Sequence, residues 1–324
     1  MTEKKLFKIS GTGCTLVDYL YSPVDFNDKV FQPYLSQSPG DGGLSPGKLV
    51  FKEEFDKFSG EAYTEVRDAM TKGKSPVALN IGGPSVVSLI HASQLLHGLE
   101  AEVRFFACKG DDEGGAFIEN KLATTPLKVG KFKTGIKYTP FTDVLSDPSF
   151  DSGNGERIFI NNIGAAWELI PADLDDSFFE SDMVVFGGTA LVPNIHSALG
   201  ELLPKAKANK VITVVNMVYD FLNEREKPAD RWPLGKSVET CKSIDLLITD
   251  MVEGLRLSGK TDVDAAIDFF QSTGVIASIA RQLIANRAKT VSLPAAIALG
   301  VASGGFACFY HGGTFYEAYP GAKI

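Results

Sequence analysis

From residue 77 to residue 272 one pattern repeats: a short run of β-branched and aromatic residues, a turn marked by Gly, Asp or Asn, then a segment with helical periodicity. Strands are expected at Val77–Ile81, Val103–Ala107, Met183–Phe186, Val211–Val215 and Ile244–Ile248. Helices are expected at Ser85–Leu96, 115–122, 195–208, 250–258 and 262–272, with a helical patch near 236–241. Short β-rich runs alternating with helices predict a mostly parallel sheet covered on both faces, an α/β fold. Before the repeat, apolar stretches at 5–9 and 14–17 flank Ser10-Gly-Thr-Gly13, which reads as a turn in a strand ending near Asp18.

Two stretches leave this pattern. Residues 19–60 lose helical period and collect Pro23, Pro33, Pro39 and Pro46, an excursion from the main sheet that ends in a helix at 61–71. Residues 132–163 alternate in the β manner around Gly153-Asn-Gly155, which is hairpin sequence. Ala295–Tyr319 reads as a strand and then a hairpin.

Composition closes several functional classes. The 324 residues carry 40 acidic against 32 basic side chains, a net charge of −8, which argues against nucleic acid or an anionic membrane as the main partner. Cys14, Cys108, Cys241 and Cys308 show no C-x-x-C pair and no zinc-ligand spacing, so free thiols are expected. With no signal-like start and no apolar run of membrane length, a cytoplasmic protein is expected.

Two phosphate motifs fail on inspection. Gly42-Gly-Leu-Ser-Pro-Gly47-Lys48 lacks the hydroxyl that would bind Mg²⁺, because Leu49 stands there, and no apolar strand leads into it. Gly11-Thr-Gly13 lacks the third glycine of a dinucleotide fingerprint, since Leu16 occupies that position. His91, His97, His196 and His311 have no evident acid and nucleophile beside them.

The remaining segments mean more together than singly. Gly13-Cys-Thr-Leu-Val-Asp18 puts a carboxylate where open α/β sheets bind ligands, and Asn80-Ile-Gly82-Gly83 leads into a helix. Gly110-Asp-Asp-Glu-Gly-Gly115, Gly155-Glu-Arg-Ile-Phe159 with Gly164-Ala165, Val214-Val-Asn216 and Leu246-Leu-Ile-Thr-Asp250-Met-Val-Glu253 follow in order. Each alone has a turn or capping explanation. In sequence they resemble the PfkB carbohydrate kinases, the ribokinase-like group that includes ribokinase, fructokinase and adenosine kinase.

The resemblance implies one kinase domain over 1–324: a three-layer α/β/α core with a small β lid built from about 19–60 and 132–163. It implies ATP and Mg²⁺, and transfer of a phosphoryl group to a hydroxyl of a sugar or nucleoside. Asp18 would bind substrate hydroxyls, with Gly82 and Gly83 lining that pocket; Asn216 and Asp250 would lie toward the nucleotide, and Glu253 would organise Mg²⁺ through water. Dimerisation through the lid is open by analogy. Val87 stands where the family has a substrate-side Asn, and Asn80 is the candidate substitute. The family's D-T-x-G-A-G-D element, source of the catalytic Asp and the anion hole, does not occur, and 276–301 also departs from the pattern. The expectation is therefore a C-terminally incomplete kinase with weak or no turnover, its catalytic residue unknown, or else a non-catalytic binding protein derived from such a kinase.

Overall fold

The computed structural model describes residues 6–38, 40–235 and 237–273. In chain order the strands are β1 (Phe7–Gly13), β2 (Leu16–Tyr21), β3 (Leu49–Phe51), β4 (Ala78–Gly82), β5 (Ala101–Gly110), β6 (Lys128–Gly135), β7 (Phe141–Asp147), β8 (Glu156–Asn162), β9 (Met183–Gly187), β10 (Ile212–Asn216) and β11 (Leu246–Ile248). The helices are α1 (Lys52–Ser59), α2 (Tyr63–Met70), α3 (Pro84–Leu95), α4 (Glu113–Leu122), α5 (Phe150–Gly153), α6 (Asp176–Phe179), α7 (Pro193–Ser197), α8 (Leu199–Ala208), α9 (Phe221–Glu226), α10 (Met251–Ser258) and α11 (Val263–Ser272).

Six strands form the main sheet in the order β11-β10-β9-β1-β5-β6, and every neighbouring pair is parallel. Both faces are covered, which is why its central strands read as apolar runs rather than alternating ones. On one face Ile9 and Phe105 pack with Leu89 and Ile90 of α3 and Ile118 of α4. On the other, Phe106, Phe186 and Val215 meet Phe178 of α6, Ile195 of α7 and Leu199 of α8. The result is the expected three-layer α/β/α arrangement.

The second sheet, β3-β8-β7-β2-β4, is mixed: β2/β4 and β7/β8 are antiparallel, while β2/β7 and β3/β8 are parallel. One of its faces has a core of its own, where Tyr21, Leu145, Ile158 and Ile160 pack with Phe31, Phe55 of α1 and Tyr63 of α2. The proline- and glycine-rich excursion thus supplies a covering layer for this sheet. Residues 132–135 complete β6 in the main sheet, and the hairpin proper is β7/β8.

The structure corrects the sequence reading at the N-terminus. Ser10–Gly13 is not a turn: β1 runs straight through Gly13, and after Cys14-Thr15 the chain re-pairs as β2 in the second sheet, so Asp18 sits on β2 and not at the end of the first strand. The glycines are there for close approach. A Cβ on Gly11 would run into Leu89, and one on Gly13 would overlap the Gly187 carbonyl and crowd Ser85 of α3. Val77–Ile81, read as part of the repeating α/β pattern, is instead the antiparallel outer strand β4. The near-phosphate loop at 42–48 is folded around Asp41, whose carboxylate accepts the N–H groups of Gln37, Ser38 and Gly43.

Cys14, Cys108 and Cys241 are buried and free. Among the described residues no helix is long and apolar enough to cross a membrane. The strand and hairpin expected at 295–319, the divergent span 276–301, Cys308 and His311 lie outside the described residues.

Gly13→Ala is expected to cost about 3 kcal/mol, the upper end of overpacking, because backbone rather than a flexible side chain occupies the space. Urea unfolding at unchanged m-value measures it; a cost under about 0.5 kcal/mol would show that β1 and β9 can move apart freely.

Candidate functional site

Strand register assembles the site. Asp18 on β2 faces Asn80 across the antiparallel pair with β4 and Thr142 across the parallel pair with β7, and Thr142 faces Asn161 on β8. Opposed residues share a face, so Asn80, Asp18, Thr142 and Asn161 form a polar row across four strands, on the face opposite the second sheet's own core. Asn161 Nδ2 donates to Thr142 Oγ1 at 2.8 Å, which leaves the Thr142 hydroxyl to donate to Asp18. Burial pushes the Asp18 carboxyl up from its ordinary 3.8 to about 7, against the opposing pull of the Thr142 hydrogen bond.

Gly82 ends β4 beside this row. A Cβ there would overlap Asp18 Oδ2 and Leu16, so glycine is what leaves room for the carboxylate. Gly83 follows in a positive-φ conformation (φ 106°), its Cα against the Cys14 carbonyl, and opens α3. Ser85, in the first turn of α3, donates to the Thr12 carbonyl at 3.0 Å and so fastens the helix start over the end of β1. The substrate-side residues expected from sequence, Asp18, Asn80, Gly82 and Gly83, are thereby brought together.

The residues expected toward a nucleotide stand along the edge of the main sheet where β1, β9, β10 and β11 end level with one another. Gly13 pairs with Gly187, Gly187 with Asn216, and Asn216 with Ile248, two residues before Asp250. The Asn216 side-chain oxygen is buried without a hydrogen-bond partner. Asp250 and Glu253 form a capping box at α10: Asp250 Oδ1 accepts the Glu253 N–H at 2.7 Å and Glu253 Oε2 accepts the Asp250 N–H at 3.1 Å. Burial raises the Glu253 carboxyl, the Asp250 N–H lowers it, and the Asp250 charge raises it further. The Gly110–Gly115 segment also has a structural task, since Asp112 caps α4 through the Gly115 N–H and holds the N–H of Thr139 just before β7.

The strand pairing continues from the row to Phe51, which lines a cavity that sequence reasoning did not find. Asn161 pairs with Phe51 on β3, and beyond it a space of about 850 Å³ is lined by Phe51, Tyr138, Asn162, Ile163, Trp167 and Phe221, with Glu54, Lys137 and Arg225 at its border. Phe51 and Phe221 meet there with their rings tilted by 30° and centroids 3.4 Å apart. Thr142, Asn161 and Phe51 come from three strands, so only the register could reveal their shared face; Trp167 and Phe221 carry no local motif.

No family profile and no curated protein sequence matches the chain. Solved structures do. Adenosine kinase from Schistosoma mansoni, in complex with adenosine in an occluded loop conformation, matches at TM-score 0.55 and 17% identity, over 82% of this chain and 68% of that one. The fold is ribokinase-like. Adenosine kinase from Anopheles gambiae, in complex with P1,P4-di(adenosine-5) tetraphosphate, gives TM-score 0.58 at 16% identity over 82% of this chain and 70% of that one. A putative ribokinase II from E. coli gives 0.52 at 17% identity, over 83% and 71%. The ribokinase-like fold thus unites the main sheet with the second sheet that carries Asp18.

The raised Asp18 carboxyl sets a pH signature. Between about pH 4 and pH 7 the folded chain holds a proton there that the unfolded chain has lost, so this group's contribution to stability is full below about pH 4 and is lost as pH rises through 7. Asp18→Asn is therefore expected to be more stable than wild type at pH 8 by roughly 2 kcal/mol, with no difference near pH 4. Unfolding free energies at the two pH values measure it; a variant destabilised equally at both would show that Asp18 is ionised at no cost.

Proposed function

We propose that this chain binds a nucleoside or sugar through the Asp18 row and belongs, by function, with ATP-dependent kinases that phosphorylate a hydroxyl of such compounds. The observation that carries the reading is a half-buried carboxylate given room by Gly82 at the end of β4, on the second sheet of a ribokinase-like fold. A carboxylate accepts directed hydrogen bonds from vicinal hydroxyls, and Asn80 beside it both donates and accepts. The nearby cavity favours a nucleoside over a bare sugar. Its aromatic lining suits a planar ring, and Asn161 stands two strands from Asp18, about 10 Å at ordinary strand spacing.

ATP would lie toward Asn216, where an unpartnered side-chain oxygen awaits a donor, and toward the start of α10. Among the described residues no group of three or more Asp, Glu, His or Cys side chains lies close enough to hold a metal ion. This fits Mg²⁺ carried largely by phosphates and water, with Glu253 holding one of its waters, since Mg²⁺ commonly keeps several. Mg²⁺ would supply charge neutralisation at the phosphates. Phosphoryl transfer also needs a base for the attacking hydroxyl, and the Asp-Thr-x-Gly-Ala-Gly-Asp element that supplies it in these kinases does not occur in the 324 residues. That absence favours weak turnover, or a second reading: a nucleoside-binding protein that no longer transfers phosphate.

Titration of the purified chain with adenosine, ribose and Mg·ATP, following heat of binding and ADP release, tests both readings. Adenosine is expected to bind, Asp18→Asn to weaken it about 100-fold as charge-assisted hydrogen bonds are lost, and ADP to appear slowly or not at all. Binding without Mg·ATP affinity would favour the second reading. No binding of any nucleoside or sugar would remove the substrate assignment, and rapid ADP release would remove the expectation of impairment.

A further inference from the structure

Behind the cavity lie three buried polar side chains that the reading above leaves unused. Thr189 follows β9, His196 is on α7, and Asp220 precedes α9; all three are more than nine-tenths buried. His196 Nδ1 is 2.9 Å from Thr189 Oγ1, and Nε2 is 3.3 Å from Asp220 Oδ2, an electrostatic contact rather than an aligned hydrogen bond. Burial pushes the Asp220 carboxyl up, but His196 and the two N–H donors of Asn223 outweigh it and hold it below the ordinary range.

Asp220 is also the N-cap of α9, accepting the Asn223 N–H and Asn223 Nδ2. At six residues α9 is too short to persist without anchors. Its side chains touch the second sheet and the helix that covers it. Phe221 meets Phe51 of β3, and Arg225 Nη1 lies 2.8 Å from Glu54 Oε1 of α1. On the other side Glu224 Oε2 accepts Trp232 Nε1 at 2.6 Å and Arg256 Nε at 2.9 Å.

We infer that His196 is a positioning residue: through Asp220 it sets the first turn of α9, and so places Phe221 and Arg225 against the second sheet. Thr189 fixes the ring, the ring fixes the carboxylate, and the carboxylate caps the helix. The line of contact then runs from the loop after β9 to the Glu54–Arg225 pair. Nothing in it depends on the identity of the ligand, so the test needs none.

Native-state hydrogen exchange of the full chain, read at α9, α1, α2 and α4, tests the order of coupling. His196→Ala is expected to speed exchange at α9 and α1 at least tenfold and leave α2 and α4 unchanged. His196→Gln, whose amide can accept from Thr189 and donate to Asp220, is expected to restore slow exchange at both. Arg225→Gln is expected to release α1 alone, because it cuts the line beyond the anchor. Should His196→Ala fail to fold, Asp220→Asn keeps a competent N-cap while removing the charge, and is expected to release α9 and α1 to a smaller extent. Equal acceleration at all four helices would reduce His196 to general stability and overturn the inference. Unchanged exchange at α9, or release of α9 without α1, would overturn it as well.

Discussion

Backbone meets backbone where β1, β9 and α3 converge, and the site depends on that contact. A Cβ on Gly13 would overlap the Gly187 carbonyl and one on Gly187 would overlap Ser85, whose hydroxyl holds the Thr12 carbonyl. Because α3 begins there, Gly82 and Gly83 are carried to the mouth of the main sheet, and β4 behind them is carried to β2. The chain leaves the main sheet at Gly13 and enters the second sheet at Leu16, with only Cys14 and Thr15 between, so any loosening of this junction shifts Asp18 relative to Asn216.

The polar row illustrates how a sheet can hold an uncomfortable charge. Asp18 loses hydration on burial and regains only part of it from the Thr142 hydroxyl, which is itself oriented by Asn161. A group held in this way gains more from ligand hydroxyls than an exposed carboxylate would, since it has less water to give up. The second sheet's other face makes a contrasting arrangement. There Asp143 is buried against the Tyr63 hydroxyl at 2.7 Å, with Arg67 3.8 Å away, and serves the core that α1 and α2 close.

The architecture was legible because periodicity encodes it: alternating β and helical segments gave the parallel sheet, and proline- and glycine-rich stretches marked the departures from it. Asp18, Asn80, Gly82 and Gly83 were picked out together because they fall in two short motifs, Gly13–Asp18 and Asn80–Gly83, although Asp18 and Asn80 lie within strands and not at their ends. The N-terminal glycines misled, since Gly11 and Gly13 look the same in sequence whether they turn a chain or admit a neighbour, and here Leu89 and Gly187 are the neighbours. Thr142, Asn161 and Phe51 were invisible for a different reason. Their meaning lies in which residue of another strand each one faces, and a one-residue change of register would have sent all three to the opposite side.

The second sheet owns a separate hydrophobic core beneath α1 and α2. It is also tied to the main body: Leu16 and Phe51 pack into the core around Phe186, and Val17 and Ile81 into the core around Phe105. Asp18 therefore stands on a sheet closed on one side by its own helices and anchored on the other in the main body, so two cores together fix where the carboxylate sits.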